Sequence, residues 1–372
     1  MELDETELIF SKEESGNSLF QLKNGKIIFY NLLGNYKIYI FDDKTYKTLF
    51  TINMFEFIKK YEQENNDDKS LIQNESKYKD EHHTYNNKNS LKELDNGLIL
   101  IGGDKYLMEL NLQNKAYDFK IKKRFNDTIL DINELPDKKI MVITDSNIFL
   151  FQKEKEEYII KTEYPINENW KLTGHSVEEY YEDFTQYFSS ELLPNNRLLL
   201  NSFSREIDHH GGCGTHPAEP VFTSKIIFIN LDNFKTINST RVFHIDVVYL
   251  VFENIIIIQD FDYMNIYDIN SLEFIRIIHL FRDLDNLFKY DNKHLLLIRM
   301  ENKKSHIIVY KINNKDLIEY KKIKIDLPLH KNYIPYDYFP KRFLDRILFV
   351  LKNKKIIVFC KYKMFLVKMK ID

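Results

Sequence analysis

Residues 22–30 read LKNGKIIFY, and this word decides the fold because versions of it recur along the chain. Each copy has an apolar residue, one or two polar turn-forming residues and then a run of consecutive apolar residues. The copies are LKNGKIIFY from Leu22, LDNGLILI from Leu94, LPDKKIMVI from Leu135, LPNNRLLL from Leu193, FENIIII from Phe252, YDNKHLLLI from Tyr290 and LKNKKIIVF from Leu351. Each copy predicts a tight hairpin that leads into a buried strand.

The turn residues and the strands after them predict a four-stranded unit. Asn24-Gly25 and Asn96-Gly97 supply the positive φ that two-residue hairpin loops need. The β-branched run that follows suits a strand buried on both faces. Two further strands follow most copies, at 36–41 and 48–52 in the first unit and at 264–268 and 274–279 in the fifth. Four antiparallel strands in each unit are typical of a propeller blade.

The spacing of the copies predicts one all-β domain over residues 1–372. The shortest intervals, 41 residues from Leu94 to Leu135 and 38 from Phe252 to Tyr290, are close to the length of one blade. After Leu351 only two more strands fit, and the N-terminal stretch from Leu8 to Ser11 supplies a spare strand. We therefore predict a single seven-bladed β-propeller of four-stranded antiparallel blades, closed by an N-terminal strand that completes the last blade.

Two third-strand words resemble the WD-repeat family. In IYIFDDKTYKTL and MNIYDINSLEFI, Phe41-Asp42 and Tyr267-Asp268 stand where that family has Trp-Asp, and Gly174-His175 is similar to its Gly-His pair. The family also often keeps a turn-stabilising Asp between its second and third strands, which is the position of Asp104, Asp145 and Asp260. The resemblance covers essentially the whole chain and implies a scaffold protein.

The composition excludes several classes of protein. Fifty-three basic and 56 acidic residues leave a formal charge of −3, so no global attraction to nucleic acid or anionic membrane is expected. The apolar runs are shorter than the roughly 18 residues of a membrane span. Cys213 and Cys360 lie far apart, and the acidic start MELDETELIF matches no signal or transit peptide. We expect a cytoplasmic protein, with a nuclear location left open.

Four insertions lengthen the repeating unit, at residues 54–90, 166–186, 203–222 and 326–343. In a propeller, loops at these positions share one face, whereas the turns of the opposite face are tight. Loops held on a rigid scaffold commonly carry function. We therefore expect the insertion-bearing face to bind a partner.

Aromatic residues in two insertions are the candidate contacts for a protein or peptide. Tyr and Trp are enriched at interface hot spots because they bury a large area at a small entropy cost. The candidates are Trp170, His175, Tyr180, Tyr181, Tyr333 and Tyr336. The alternative is that these side chains pack onto the blades.

Residues 208–217, DHHGGCGTHP, concentrate potential metal ligands. His209, His210, Cys213 and His216 could together bind zinc in a tetrahedral arrangement, although the segment lacks the spaced pairs of a familiar zinc motif. Cys213 could also act as a nucleophile with a neighbouring His, but no oxyanion-binding partner is identifiable. We therefore expect no cofactor and no catalysis.

The first hypothesis is a non-catalytic protein-binding scaffold, a subunit of a larger assembly. The alternative is a metal-binding propeller, open to hydrolytic chemistry, that uses the loop from His209 to His216. A third interpretation, nucleic-acid or lipid binding, rests on the ten basic and two acidic residues from Lys341 onward. Lysines more often lie on solvated strand faces and protect strand edges, so we do not expect a nucleic-acid partner.

Overall fold

The computed structural model describes residues 5–11, 18–31, 37–65, 91–103, 105–112, 116–144, 146–165, 184–207, 220–242, 248–260, 263–279, 286–301, 304–313, 315–325, 346–360 and 363–368. Over these ranges the chain is almost entirely strand, with one helix, α1 (Met54–Asn65). The all-β prediction is therefore confirmed.

Strands of the first half of the chain are β1 (Glu5–Ser11), β2 (Ser18–Gln21), β3 (Ile27–Asn31), β4 (Lys37–Phe41), β5 (Thr48–Asn53), β6 (Leu91–Glu93), β7 (Ile99–Gly103), β8 (Tyr106–Leu112), β9 (Tyr117–Arg124), β10 (Ile129–Glu134), β11 (Ile140–Thr144), β12 (Asn147–Glu154) and β13 (Glu157–Pro165). The remaining strands are β14 (Phe184–Leu193), β15 (Arg197–Ile207), β16 (Pro220–Asn230), β17 (Lys235–Val242), β18 (Val248–Val251), β19 (Ile255–Asp260), β20 (Tyr263–Asp268), β21 (Phe274–His279), β22 (Asn286–Lys289), β23 (His294–Glu301), β24 (Lys304–Asn313), β25 (Asp316–Ile325), β26 (Arg346–Val350), β27 (Ile356–Cys360) and β28 (Lys363–Lys368).

The strands pair in groups of four. Six sheets have a described antiparallel register for every pair: β2-β3-β4-β5, β6-β7-β8-β9, β10-β11-β12-β13, β18-β19-β20-β21, β22-β23-β24-β25 and β1-β28-β27-β26. A further sheet has the order β14-β15-β16-β17, with a described register between β16 and β17. Each copy of the recurring word precedes the second strand of one sheet, as the sequence predicts.

Strand β1 pairs antiparallel with β28, so it forms the outer strand of the sheet made by the C-terminal strands. Glu5 lies opposite Lys368, and Ser11 lies opposite Lys363. The predicted use of a spare N-terminal strand to complete the last sheet is confirmed by this register.

The recurring hairpin differs from its predicted type. In the first copy the Gly25 amide donates to the Leu22 carbonyl at 3.0 Å, and the Leu22 amide donates to the Lys26 carbonyl at 2.8 Å. Gly25 has a positive φ of 95°, whereas Asn24 is not among the residues with positive φ. The turn is thus a β-turn followed by one left-handed residue, because Gly25 alone has a positive φ. The prediction of a two-residue loop at Asn24-Gly25 was therefore wrong.

The same turn recurs where the sequence has lysine in place of glycine. Lys138 and Lys354 hold the left-handed position, each with a φ of 66°. Their amides donate to Leu135 and Leu351 at 2.9 and 2.8 Å, as the Gly25 amide does to Leu22. The words at Leu22, Leu94, Leu135 and Leu351 therefore form the same backbone turn with or without glycine. The word at Leu193 differs, because Asn195 and Asn196 both have positive φ, as a two-residue loop requires.

A bulge interrupts the pairing of the third and fourth strands in all seven of these pairs whose register is described. In β20 and β21, for example, Ile266 pairs with Arg276 and Tyr267 pairs with Phe274, so Ile275 has no opposite residue. Bulges increase the local twist and disrupt the ladder. They make the fourth strands poor templates for pairing with another chain.

The described chain divides into two compact units. The N-terminal unit comprises residues 13–190 and 200–218, and the C-terminal unit comprises residues 1–12, 191–199 and 219–372. Each has apolar clusters between neighbouring sheets, for example around Ile101 and Met108 in the N-terminal unit and around Leu295 and Leu297 in the C-terminal unit. The prediction of a single domain stays a prediction.

Two predicted insertions are shorter than the sequence suggested. β15 continues to Ile207 and β16 begins at Pro220, so the loop predicted at 203–222 was wrong at both ends. β14 likewise begins at Phe184, inside the segment predicted at 166–186. Polar residues such as Ser204 do not end a strand, because pairing uses the backbone. Residues 326–343 and 66–90 lie outside the described residues.

Candidate functional site

The predicted site residues lie outside the part of the chain that the structure describes. These are the aromatic and imidazole contacts Trp170, His175, Tyr180, Tyr181, Tyr333 and Tyr336, and the metal candidates His209, His210, Cys213 and His216. Both site hypotheses therefore stay predictions. The described residues offer three buried polar clusters and one set of exposed apolar residues.

The first polar cluster fixes helix α1 to the N-terminal unit. Met54 and Ile58 are buried on one face of the helix, as their spacing in the sequence predicts, and the rings of Phe57 and Phe119 meet edge to face at 4.8 Å. On the last turn the buried Glu62 accepts a hydrogen bond of 2.8 Å from the Tyr106 hydroxyl. The insertion that starts at residue 54 thus has an ordered base.

The second cluster joins the outer strands of two neighbouring sheets around the Glu109 carboxylate. Lys153 donates to Glu109 Oε2 at 2.9 Å, Tyr158 donates to the same oxygen at 2.7 Å, and Lys122 Nζ lies 3.3 Å from Oε1. Burial raises the pKa of Glu109, but the hydrogen bonds from Lys153 and Tyr158 and the nearby Lys122 outweigh it, so the pKa is lowered. Burial, followed by its bond to Glu109, raises the pKa of Tyr158. The carboxylate stays ionised and the phenol stays protonated at neutral pH.

The third cluster lies on first strands, where Asp131 and Asn133 of β10 meet Ser190 of β14. All three are buried. Asp131 accepts hydrogen bonds from the Ile132 amide at 2.8 Å, from Asn133 Nδ2 at 2.9 Å and from the Ser190 hydroxyl. The hydrogen-bonding capacity of the Asp131 carboxylate is therefore used by neighbouring protein groups, and the cluster links β10 to β14.

Aspartate side chains stabilise turns in both units. Asp268 accepts hydrogen bonds from the amides of Asn270 and Ser271, each at 2.8 Å, and pairs with Lys315 at 2.5 Å. These partners, Lys315 first, lower the pKa of Asp268 to about 2. Asp42 accepts from the amides of Lys44 and Thr45 in the same way. The two Asp residues that stand where WD repeats have Trp-Asp therefore both stabilise the turn after a third strand.

Arg197 ties the turn of β14 and β15 to the following sheet in the C-terminal unit. Its guanidinium is buried and donates to the carbonyls of Pro194, Asn270 and Ile269 at 3.0, 2.9 and 2.6 Å. The recurring turn thus connects sheets as well as strands.

Exposed apolar residues concentrate on the fourth strands. Of the nine exposed large apolar residues in the described ranges, eight lie on β5, β9, β13, β17, β21 or β25 and one lies on β20: Leu49, Tyr117, Ile159, Ile237, Phe274, Ile277, Ile318, Tyr320 and Tyr263. This distribution was not predicted, because all of the predicted contact residues belong to insertions. The sequences of the fourth strands could have indicated this distribution, because they have bulky apolar residues on both faces of the strand.

One of these places combines several aromatic side chains. On β20 the buried Met264 and Ile266 alternate with Tyr263, Asn265 and Tyr267, whose cross-strand partners on β21 are His279, Ile277 and Phe274. We define the aromatic face as these six residues: Tyr263, Asn265, Tyr267, Phe274, Ile277 and His279. Tyr263 and His279 meet edge to face at 4.7 Å, and Tyr267 and Phe274 at 5.7 Å. The face is a preformed apolar surface with polar tips.

Comparison with known proteins identifies the fold but no family. No family model matches the chain, and no curated protein matches it. Among solved structures, one described as a streptogramin B lyase structure is similar, with 10% sequence identity and a TM-score of 0.53 over 98% of this chain and 98% of that chain. The chain therefore has a β-propeller-like fold of repeated four-stranded sheets.

Two further observations on the described residues concern membranes and metals. No helix among them is long and apolar enough to span a membrane. No group of three or more His, Cys, Asp and Glu side chains in the same ranges is arranged to hold a metal ion. What these residues offer chemically is apolar and aromatic contact on the outer strands.

Proposed function

We propose that the chain is a non-catalytic, WD-repeat-like scaffold that binds protein or peptide partners as a subunit of a larger assembly. In this proposal its four-stranded sheets are the seven blades of one closed propeller, and β1 completes the last blade. The partner-binding surface comprises the four insertions and the neighbouring outer strands.

The observation that carries the proposal is the position of the exposed apolar residues. Eight of the nine in the described ranges lie on fourth strands. Contiguous exposed apolar residues mark interaction surfaces, whereas scattered ones need no explanation, and Tyr263, Phe274 and Ile277 lie together on the paired strands β20 and β21. Six different fourth strands carry them, which suits a scaffold with several contacts.

The buried polar clusters support a binding role over a catalytic one. Glu62, Glu109 and Asp131 each accept a hydrogen bond from a neighbouring strand, and those bonds hold the helix and the sheets together. A catalytic group needs access to substrate and a partner that it can exchange protons with. These three carboxylates are buried and serve as structural links.

The anchored helix supports a role for the first insertion. Residues 54–65 form α1, which packs on the N-terminal unit through Met54, Ile58 and Glu62. A helix that is fixed to the N-terminal unit gives the first insertion a defined starting point, which supports a role for it in recognition.

The proposal is tested by affinity capture with the insertions shortened one at a time. Wild type and four variants, lacking residues 66–90, 166–183, 208–219 or 326–343 in turn, are compared under identical conditions. We expect a partner that is captured reproducibly in stoichiometric amount and lost from at least one variant. Thermal unfolding of each variant verifies that its fold is retained. Retention of every partner by all four folded variants would contradict binding through the insertions.

A further inference from the structure

We propose that the aromatic face binds an uncharged, proline-rich segment of a partner protein in the polyproline II conformation. This inference rests on the proposed scaffold function and names the chemistry of one of its partners. It is carried by the side chains, the charge and the backbone irregularity of β20 and β21.

The aromatic face presents two ring pairs, one at each end of the paired strands β20 and β21. Tyr263 with His279 forms one end, Tyr267 with Phe274 forms the other, and Asn265 with Ile277 lies between them. Phe274 is 52% exposed and Ile277 is 49% exposed. Residues four apart on a strand are about 13 Å apart, a length that about four residues of a polyproline II segment span. Proline rings dock on aromatic-lined surfaces of this kind.

The charge of the aromatic face selects an uncharged occupant. None of its six side chains carries a carboxylate, ammonium or guanidinium group. Arg276, which lies on the same strand, pairs with Asp316 of β25 at 3.2 Å. A charged segment would lose hydration here without gaining a partner, which is unfavourable. The Tyr263 hydroxyl and the Asn265 amide can instead donate hydrogen bonds to the free carbonyls of a polyproline II backbone.

The backbone of β21 argues against a partner that adds a strand to the edge. The bulge leaves Ile275, the second residue of this short strand, without an opposite residue. A partner strand needs a regular row of free amides and carbonyls, and bulges remove that regularity. A polyproline II segment needs no such ladder, because its contacts come from the rings and from single hydrogen bonds.

The position of the aromatic face in the fold keeps it preorganised. Tyr267 packs against the apolar cluster that contains Ile256 and Ile258, and its hydroxyl lies 3.4 Å from the Thr240 hydroxyl of β17. Tyr263 and Phe274 each contact a ring of the paired strand. Rings that are fixed before binding lose little conformational freedom on binding.

The experiment measures binding of three capped, uncharged ten-residue peptides to the full chain by calorimetry. One peptide is proline-rich, one is made of glycine and serine, and one is a threonine- and valine-rich strand former. We expect binding of the proline-rich peptide alone. Tyr263→Ala and Phe274→Ala should each weaken it by about tenfold, as truncation of an aromatic hot spot does. Tyr117→Ala, which removes an exposed tyrosine from β9, should leave the affinity unchanged.

Three outcomes would overturn the inference. The first is an absence of binding by the proline-rich peptide, and the second is equal binding of the strand-forming peptide, which would indicate edge pairing. The third is reversible self-association in sedimentation velocity that Phe274→Ala abolishes, which would show that a second copy of the chain covers this surface. Loss of partners on shortening an insertion remains a separate result, so the scaffold proposal can stand where this inference falls.

Discussion

The third and fourth strands of two sheets differ in what their side chains contact. In the N-terminal unit, β8 and β9 are joined to β12 and β13 by Glu109 and its partners, and the side chains of Glu109 and Lys122 are 9% and 10% exposed. In the C-terminal unit, β20 and β21 instead carry the aromatic face, which has no such charges. Both strand pairs are antiparallel and both contain a bulge. The two strand pairs therefore have the same backbone arrangement. Their outward-facing side chains determine whether the pair forms a buried contact with the next sheet or an exposed surface.

The energetic consequence of this difference is large. Buried charges are costly unless they are paired, so removing one member of the Glu109 cluster leaves its partners uncompensated. A neutral exposed ring makes few interactions that folding depends on. Stability should therefore respond to changes in the charged joint, and binding should respond to changes in the aromatic face.

Glu109→Gln should have the largest effect on stability. The amide can keep the hydrogen bond from Tyr158 but leaves Lys122 and Lys153 without their carboxylate, at an expected cost of about 3 kcal/mol. The measurement is the free energy of unfolding in urea at pH 7. The matched control is Asp118→Asn, whose exposed pair with Lys120 on β9 should contribute far less than the buried cluster. Similar losses in both variants would contradict the distinction between buried and exposed charges.

Asp268→Asn should have an intermediate, pH-dependent effect. Its amide oxygen can keep the bonds from Asn270 and Ser271, so the variant mainly loses attraction to Lys315. The pKa of Asp268 is lowered from 3.8 to about 2, so this stabilisation is present above the unfolded-state pKa and is lost as the pH falls through that interval. Because Lys315 is exposed, we expect about 1 kcal/mol at pH 7.

The measurement for Asp268 is the difference in unfolding free energy between wild type and variant as a function of pH. The difference should be constant from pH 7 to pH 5, should decrease as the pH falls further, and should be small at pH 2, where about half of the folded-state carboxyl is protonated. A difference that persists unchanged at pH 2 would show that Asp268 acts through its shape and not through its charge.

Phe274→Ala should change stability little although it removes a large ring. The ring is half exposed and its main described contact is the edge of Tyr267, so a loss of about 0.5 kcal/mol is expected. Thermal unfolding measures this effect and also validates the binding experiment. A loss as large as that of Glu109→Gln would mean that the aromatic face is part of the core and is not a docking surface.

The smallest effect is expected from metal removal. Under the scaffold proposal, purified protein should contain no stoichiometric zinc by elemental mass spectrometry, and a chelator should not shift its unfolding temperature. The triple variant His209→Ala, Cys213→Ala and His216→Ala serves as the control. Near-equimolar zinc that this variant lacks would favour the alternative metal-binding propeller.

The sequence predicted the four-stranded sheets because a short local pattern is repeated along the chain. The word at Leu22 recurs before each second strand, and a hairpin with a buried strand needs only neighbouring residues to specify it. The turn type was wrong because Asn-Gly is compatible with more than one turn, and only the hydrogen bond from Gly25 to Leu22 distinguishes them.

The site was harder to predict because its residues meet only through pairing. Tyr267 and Phe274 are opposite each other after a bulge, and a sequence does not show where a bulge falls. Glu109 and Tyr158 are 49 positions apart and meet between two sheets. The composition of 28 Phe and 24 Tyr residues indicates aromatic packing without showing which rings remain exposed. The predictions for the insertions await their own tests.

The pairing of β1 with β28 has a consequence for the order of folding. Residues 5–11 pair with residues 363–368, so more than 350 positions separate the two strands in sequence. Bringing such distant segments together is entropically unfavourable until the intervening strands have folded. We therefore expect the sheet of β1, β28, β27 and β26 to form after the sheets whose strands are consecutive, an order that hydrogen exchange during refolding measures.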